Sequence, residues 1–375
     1  MAANYWESTQ RKHWQFTKDD LAGMRQRLDD EDPALVQMFP LPQLRHLNIY
    51  FNQRASSSFY AILRGNPTAN VKTSPEINRL GKRLGVRQQA MATAQVYLKR
   101  FYTRTPIRQT NPYLVITTAL YLACKMEECP QHIRMLSQEA RSLWPSDLHG
   151  HDAPRVGECE FSLISEMHSQ LIVHQPYRTL LALQDEFALT QDEMSLAWTV
   201  INDHYMTDLP LLHPPHVVAL TAVLLALVLR PSGNAPGTAG GGNAGAAAAA
   251  AGAGGVAMAA TALAQAQARA AAIAAGSGAG GPGFGSQGSQ QQQMGFSQGN
   301  SQGDGPAAEP KKATDPRLAK VQRFAAWLAD SNIDVEAMVD CTQELISFYE
   351  CHEQYNDKHT REQITRFIKA RSLDK

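Results

Sequence analysis

The chain has 375 residues, with 35 basic and 35 acidic side chains that give a formal net charge of zero. This balance excludes the strongly basic surface that is typical of proteins whose main partner is nucleic acid or an anionic membrane. The length exceeds what one compact helical unit needs and indicates two domains with additional segments. The five cysteines lack paired spacing and no signal-peptide pattern opens the chain, so the sequence predicts a reducing compartment.

The first segment, residues 1–40, is predicted to form an N-terminal arm rich in aromatic and charged side chains. Its opening stretch, NYWESTQRKHWQF, carries Tyr5, Trp6, Trp14 and Phe16 among charged residues. Two interpretations stay open at this stage. The aromatic side chains either pack on the domain that follows or contact a partner protein.

Residues 41–174 have helical periodicity and no sustained alternation of apolar and polar residues. In residues 87–104, apolar side chains recur at the spacing of one helical face, and the small residues Ala90, Ala92 and Ala94 allow a second helix to approach closely.

A central helix is predicted in the stretch NPYLVITTALYLACKM, residues 111–126. Its Asn-Pro start supplies a cap and a proline at the first helical position. Apolar residues then cover every face, which is typical of a helix in the middle of a core. Pro130 ends the pattern, so Lys125, Glu127 and Glu128 fall where the chain leaves the core.

A further helix is predicted in VGECEFSLISEMHSQLIV, residues 156–173. Four apolar residues share one helical stripe and are expected to face the core: Phe161, Ile164, Met167 and Leu171. Glu160 is expected at the front end of this helix, at the edge of the stripe.

Residues 175–230 and 310–355 contain a second set of five helical segments, and the third is again the most apolar. The two sets agree in helix order and polarity, which predicts an all-α fold built from a duplicated five-helix unit. The apolar run at 217–229 is shorter than the roughly 20 residues that cross a bilayer, so it is predicted to be a core helix.

Two remaining segments have no predicted place in a core. Residues 231–309 are rich in Gly, Ala, Gln and Ser with few charges and few large apolar side chains, and we expect them to be a disordered insertion in the second unit. Residues 356–375 are assigned as a C-terminal tail.

Several stretches together resemble the cyclin C family, the cyclin-like subunits of the RNA polymerase II holoenzyme. They are NYWESTQRKHWQF, RQQAMATAQVYLKRFY, LACKMEE, ECEFSLISEM, LIVHQPYRTLL and LAWTVINDHYMTDLPLLHPP. The resemblance implies that the two helical units are tandem cyclin boxes, at 41–174 and at 175–230 with 310–355. It does not cover residues 231–309, nor residues 52–75, which it marks as an insertion in the first box.

The resemblance also implies a set of kinase-binding residues. In cyclins, a lysine that ends the third helix of the first box and a glutamate that opens the fifth grip the kinase, and here they fall on Lys125 and Glu160. From the residues themselves, a lysine in the last turn is also favoured by the helix dipole and can bond Glu128. Glu127 and Glu128 are expected either to meet basic residues of the kinase or to form a solvated acidic face, and Trp6 is a further candidate kinase contact.

The function implied is that of a regulatory subunit without catalytic activity or cofactor. It would bind and activate a cyclin-dependent serine/threonine kinase of the Mediator complex in the nucleus, together with other Mediator kinase-module subunits and the RNA polymerase II holoenzyme. Phosphorylation of the polymerase C-terminal domain is among the implied outcomes. No direct contact with nucleic acid or membrane is expected.

Other functional classes fit the sequence less well. His149, His151 and Cys159 lie near one another without the spacing of a zinc site, and the chain has no P-loop, nucleophile elbow or kinase signature. The alternative is a cyclin-fold general transcription initiation factor that binds polymerase and promoter DNA. Such a factor normally has a basic face and a zinc ribbon with paired cysteines, and this sequence has neither pattern.

Overall fold

The computed structural model describes residues 4–52, 76–144, 152–229 and 316–373. Within these ranges the chain forms sixteen α-helices and no β-strand, which confirms the all-α prediction. The predicted insertion at 52–75, apart from Asn52, and the predicted disordered tract at 231–309 lie outside the described residues.

The N-terminal arm begins with a 3-10 turn at Tyr5–Glu7 and continues through three helices: α1 (Thr9–His13), α2 (Lys18–Asp30) and α3 (Pro33–Met38). Each start has a local cause, since Ser8, Thr17 and Asp32 accept hydrogen bonds from the first backbone N–H groups of their helices. Asp20 completes a capping box with Thr17 at the start of α2.

The first helical set contains α4 (Leu44–Asn52), α5 (Glu76–Arg83), α6 (Gln88–Phe101), α7 (Pro112–Met126), α8 (Ile133–Leu143) and α9 (Ala153–Glu166). As predicted, α7 is central and packs against α5, α6, α8 and α9. The Asn111 side chain caps it. Ala90 and Ala94 of α6 are fully buried in the same core as α7, whereas Ala92 is buried in the core of the second set.

The second set contains α10 (Tyr177–Glu186), α11 (Gln191–His204), α12 (Leu209–Leu212), α13 (Pro215–Leu229), α14 (Pro316–Asp330) and α15 (Val335–Gln354). Here α13 is central and packs against α10, α11, α14 and α15. Every residue of α13 from Val217 onward is buried. In the described part of the chain, no helix combines the length and apolarity that a membrane crossing requires.

The predicted C-terminal tail, residues 356–375, contains the last helix, α16 (Asp357–Ala370). It follows the second set but packs against α4, and Ile364, Phe367 and Ile368 are buried in the core of the first set. The end of the chain therefore ties the two sets together.

The two tryptophans of the arm differ in burial, so the packing interpretation and the partner-contact interpretation apply to different residues. Trp14 is only 1% exposed in the first core, where its indole N–H donates to Gln170 at 2.7 Å. The guanidinium groups of Arg100 and Arg104 lie 5.1 and 5.2 Å from its ring centre. Packing thus accounts for Trp14, whereas Trp6 is 53% exposed.

Candidate functional site

The last turn of α7 carries an ion pair to α9. Lys125 pairs with Glu160, and its ammonium lies 4.7 Å from the ring centre of Tyr121. The lysine side chain is 40% exposed but that of the glutamate only 14%. The structure thus brings together the two residues that the sequence singled out, and it gives Lys125 the partner Glu160 rather than Glu128.

The expected position of Glu160 at the front of its helix is wrong, because α9 begins at Ala153 and Glu160 lies in its middle. The expected inward stripe is also wrong at Phe161, which is 77% exposed. The buried face instead contains Val156, Leu163 and Met167, and Glu160 shares that face. A glutamate fits there because Lys125 neutralises its charge.

Large apolar side chains flank the ion pair on the surface. Met126 follows Lys125 and Phe161 follows Glu160, and both are exposed. Single exposed apolar residues are common, and Phe161 is a candidate for contact with a partner because it directly follows a residue of the ion pair. The sequence did not indicate that Phe161 is exposed, because its stripe of four apolar residues is more apolar than the stripe that contains Glu160.

Glu127 has a role that neither sequence interpretation included. Its carboxylate accepts hydrogen bonds from the Gln89 amide and the Thr93 hydroxyl, each at 2.6 Å. Both donors lie in the first half of α6, so Glu127 ties the end of α7 to that helix. Part of its function is therefore to hold the end of α7 in place.

Glu128 is exposed and has a φ angle of 53°. This left-handed conformation is usual for glycine after a helix end and costs other residues free energy. Its side chain remains available to either of the predicted roles, a kinase contact or a solvated acidic face.

Trp6 lies against the start of α13. Its ring centre is 5.2 Å from that of His216, and the Arg11 guanidinium lies 5.2 Å from the same indole. Neighbouring Tyr5 donates its hydroxyl to Gln15 at 2.6 Å, and burial raises the pKa of Tyr5 to about 12. Local contacts therefore hold the segment around Trp6 while the indole itself stays largely exposed.

The histidine–cysteine cluster singled out in the sequence is only partly described by the structure. His149 and His151 lie outside the described residues, while burial raises the pKa of the Cys159 thiol to about 11. Among the residues whose positions are described, no three His, Cys, Asp or Glu side chains are arranged to hold a metal ion.

Comparison with known proteins shows the family to which the chain belongs. Residues 76–172 match the family model described as "Cyclin, N-terminal domain". A "RNA polymerase II holoenzyme cyclin-like subunit" of Chaetomium globosum is 81% identical over 387 residues, with 100% of both chains covered. The chain belongs to the family of RNA polymerase II holoenzyme cyclin-like subunits. A relative of the same description from Neurospora crassa is 62% identical and is also covered over 100% of both chains.

Membership of this family confirms the resemblance seen in the sequence, and the two helical sets are its tandem cyclin boxes. A lower similarity links the chain to the "CAK complex" of Chaetomium thermophilum bound to ATP-γ-S, with 20% identity over 59% of this chain and 68% of the other. Its TM-score of 0.43 is too low to support a structural conclusion.

Proposed function

We propose that this cyclin-like subunit binds and activates a cyclin-dependent serine/threonine kinase of the Mediator complex and so regulates RNA polymerase II transcription in the nucleus. Phosphorylation of the polymerase C-terminal domain is included in this proposal. The observation that carries it is the Lys125–Glu160 pair with exposed Phe161 and Met126 beside it. The name shared by the close relatives supports the polymerase setting.

Docking of a kinase on this surface would remove Phe161 and Met126 from water, which supplies a non-directional driving force. Lys125 and Glu160 then give the interface its orientation, since a cation and an anion held side by side suit the main-chain carbonyl and amide groups of a partner. The surface combines an aromatic anchor with charged groups, as binding hot spots do.

Activation follows from where the partner is held. The first box would pack on the αC helix of the kinase and press the αC glutamate toward the lysine of strand β3, which completes the site for the ATP phosphates. In this mechanism the cyclin contributes shape and charge, and the kinase performs the chemistry. The protein is thus proposed to be a regulatory subunit, not an enzyme.

The ion pair should contribute little to the stability of the free cyclin and much to the stability of its complex with the kinase. While Lys125 is 40% exposed, solvent screens the pair and limits its contribution to about 0–1 kcal/mol. Once a kinase covers it, removal of one partner leaves the other charge buried without compensation, which costs roughly 3–5 kcal/mol.

The test is to measure kinase affinity and melting temperature for Lys125→Ala, Glu160→Ala and the double variant. We expect each single variant to lose about two to four powers of ten in affinity. The loss should be non-additive in the double variant, with melting nearly unchanged. Lys358→Ala serves as control, because Lys358 also pairs with a glutamate but is 87% exposed on α16.

Unchanged affinity in the Lys125 and Glu160 variants, or a loss explained by unfolding, would contradict the proposal. The proteins that copurify with the tagged chain distinguish a subunit of the Mediator kinase module from a general transcription initiation factor. A kinase with further Mediator kinase-module subunits and polymerase supports the proposed function, whereas promoter DNA and polymerase without a kinase supports an initiation factor.

A further inference from the structure

Two cysteines bracket the end of α7. Cys124 is fully buried, Cys129 is half-buried, and both are free thiols. The backbone N–H of Cys129 donates to the carbonyl of Cys124 at 2.9 Å. The six residues from 124 to 129 thus form a closed turn that contains Lys125, Glu127 and Glu128.

The turn is a helix C-cap of the Schellman type, with Glu128 in the left-handed conformation. In this motif the side chains of the third-last helical residue and of the residue after the left-handed one face each other. Here those two side chains are the thiols of Cys124 and Cys129. Side chains that face each other across such a cap lie on one side of a tight turn, which suits a disulfide, whose Cβ atoms lie about 3.5–4.5 Å apart.

We propose that Cys124 and Cys129 are a reversible thiol–disulfide pair that hydroperoxides oxidise and that, once oxidised, weakens docking of the kinase on the adjacent Lys125–Glu160 surface. The regulatory half of this inference rests on the proposed function, whereas the thiol chemistry does not.

The two thiols have different roles because their burial differs. Cys129 reaches solvent, so its sulfur attacks the O–O bond of a hydroperoxide; a sulfenic acid forms and water or an alcohol leaves. The sulfur of Cys124 then attacks the sulfenic sulfur, and the displaced hydroxide leaves as water with the Cys124 proton. Two thiols and one hydrogen peroxide thus give one disulfide and two waters.

Burial raises the pKa of Cys124 to about 12, so this thiol stays protonated and is not the one that meets the oxidant first. Other described cysteines have different neighbours: the thiols of Cys159 and Cys341 lie against the hydroxyls of Thr118 and Thr221. Among these cysteines, Cys124 and Cys129 are the two that one closed turn brings together.

Oxidation is coupled to the docking surface through the turn itself. An S–S bond of about 2.05 Å is shorter than a thiol–thiol contact, so its formation tightens the turn. Lys125 and Glu127 lie inside the turn, and they are held from outside by Glu160 and by Gln89 with Thr93. A tighter turn displaces one set of contacts or the other. By linkage, a bound kinase should protect the thiols from oxidation to the same degree.

The experiment begins with the intact purified chain, treated with hydrogen peroxide and then with a thiol-blocking reagent. Trypsin cleaves after Lys125 and so separates Cys124, in peptide 109–125, from Cys129, in peptide 126–134. A disulfide within the turn leaves these peptides linked. We expect the linked pair from wild type as a monomer and from the control Cys351→Ala, but not from Cys129→Ala.

Kinase affinity is then measured for the reduced, oxidised and re-reduced forms. We expect oxidised wild type to bind about 5- to 150-fold more weakly, with full recovery in dithiothreitol, and Cys129→Ala to be insensitive to peroxide. Unlinked peptides in treated wild type overturn the inference, and linked peptides with unchanged affinity overturn its regulatory half. If reduced wild type fails to bind a kinase, the proposed function and that half fall together, while the linked peptides still decide the thiol chemistry.

Discussion

The two central helices, α7 and α13, are alike in construction and differ at their ends. Each has 15 residues, begins with proline and is buried at the centre of its box. In the last three residues of α7, Cys124 is buried but Lys125 and Met126 are exposed. The last three residues of α13 are Leu227, Val228 and Leu229, and all are buried.

This difference shows how a duplicated unit can keep its packing and specialise one copy. Burial requires an apolar centre in both boxes, so the bodies of the two helices remain equivalent. At the end of α7, where the chain leaves the core, a lysine and two glutamates are accommodated, and Lys125 and Glu127 are held there by polar contacts. A partner surface can therefore arise on the first box without loss of its core.

The strongest test of this comparison concerns the equivalent centres. Leu120 in α7 and Leu224 in α13 are fully buried. Because each substitution leaves a cavity, we expect Leu120→Ala and Leu224→Ala each to lower the free energy of unfolding by about 2–5 kcal/mol. Urea unfolding measures both, with the exposed Leu181→Ala as a control that changes it by less than about 0.5 kcal/mol. A cost below about 1 kcal/mol at only one centre would break the equivalence.

The next test asks whether exposed apolar residues of the two boxes differ in function. Phe161→Ala should weaken kinase binding by roughly 30-fold, about 2 kcal/mol, because the ring is proposed to be an anchor of the interface. Its unfolding free energy should change by less than about 0.5 kcal/mol, since the side chain is 77% exposed. Leu181→Ala, on the second box, is the matched control for affinity measured by titration calorimetry. Equal losses in both variants would argue against a surface specific to the first box.

A pH test examines the junction of the boxes, where His204 ends α11. Burial, with a smaller effect of nearby Lys99, lowers the pKa of His204 to about 3. The unfolded value is about 6.5, so the unfolded chain binds more protons below that pH, and stability falls as pH falls, by up to about 1.4 kcal/mol per pH unit.

Between about pH 7 and about pH 5, urea unfolding should therefore show wild type losing about 2 kcal/mol more stability than His204→Gln. If the free energies of unfolding of wild type and His204→Gln changed in parallel with pH, the stability of the protein would not depend on a neutral His204.

The smallest expected effect concerns the end of α7 that distinguishes it from α13. Glu128→Gly relieves the left-handed strain at φ 53° and should raise stability by up to about 1 kcal/mol, seen as a higher melting temperature. In the opposite direction, Glu362→Gly inside α16 should cost about 1 kcal/mol, since glycine disfavours a helix interior. A lower melting temperature for Glu128→Gly would show that this glutamate stabilises the turn.

Much of the helical framework could be predicted from the sequence because its causes are local. Asn111 and Pro112 mark the start of α7 through capping and a fixed φ angle, and the prediction of a helix buried on all sides follows from its composition. The second set of helices and its apolar α13 were predicted by the same reasoning. Lys125 and Glu160 were selected by resemblance, which the family comparison supports, although their role in kinase binding stays a prediction.

Tertiary structure alone decided which side chains face inward and which residues meet. In α9, the more apolar stripe contains Phe161, so only packing against α7 could place Glu160 inside and Phe161 outside. Trp14 and Trp6 have similar sequence surroundings, yet one is buried in the first core and the other is exposed. The return of α16 to the first box is likewise invisible in sequence, because burial depends on contacts between residues far apart in the chain.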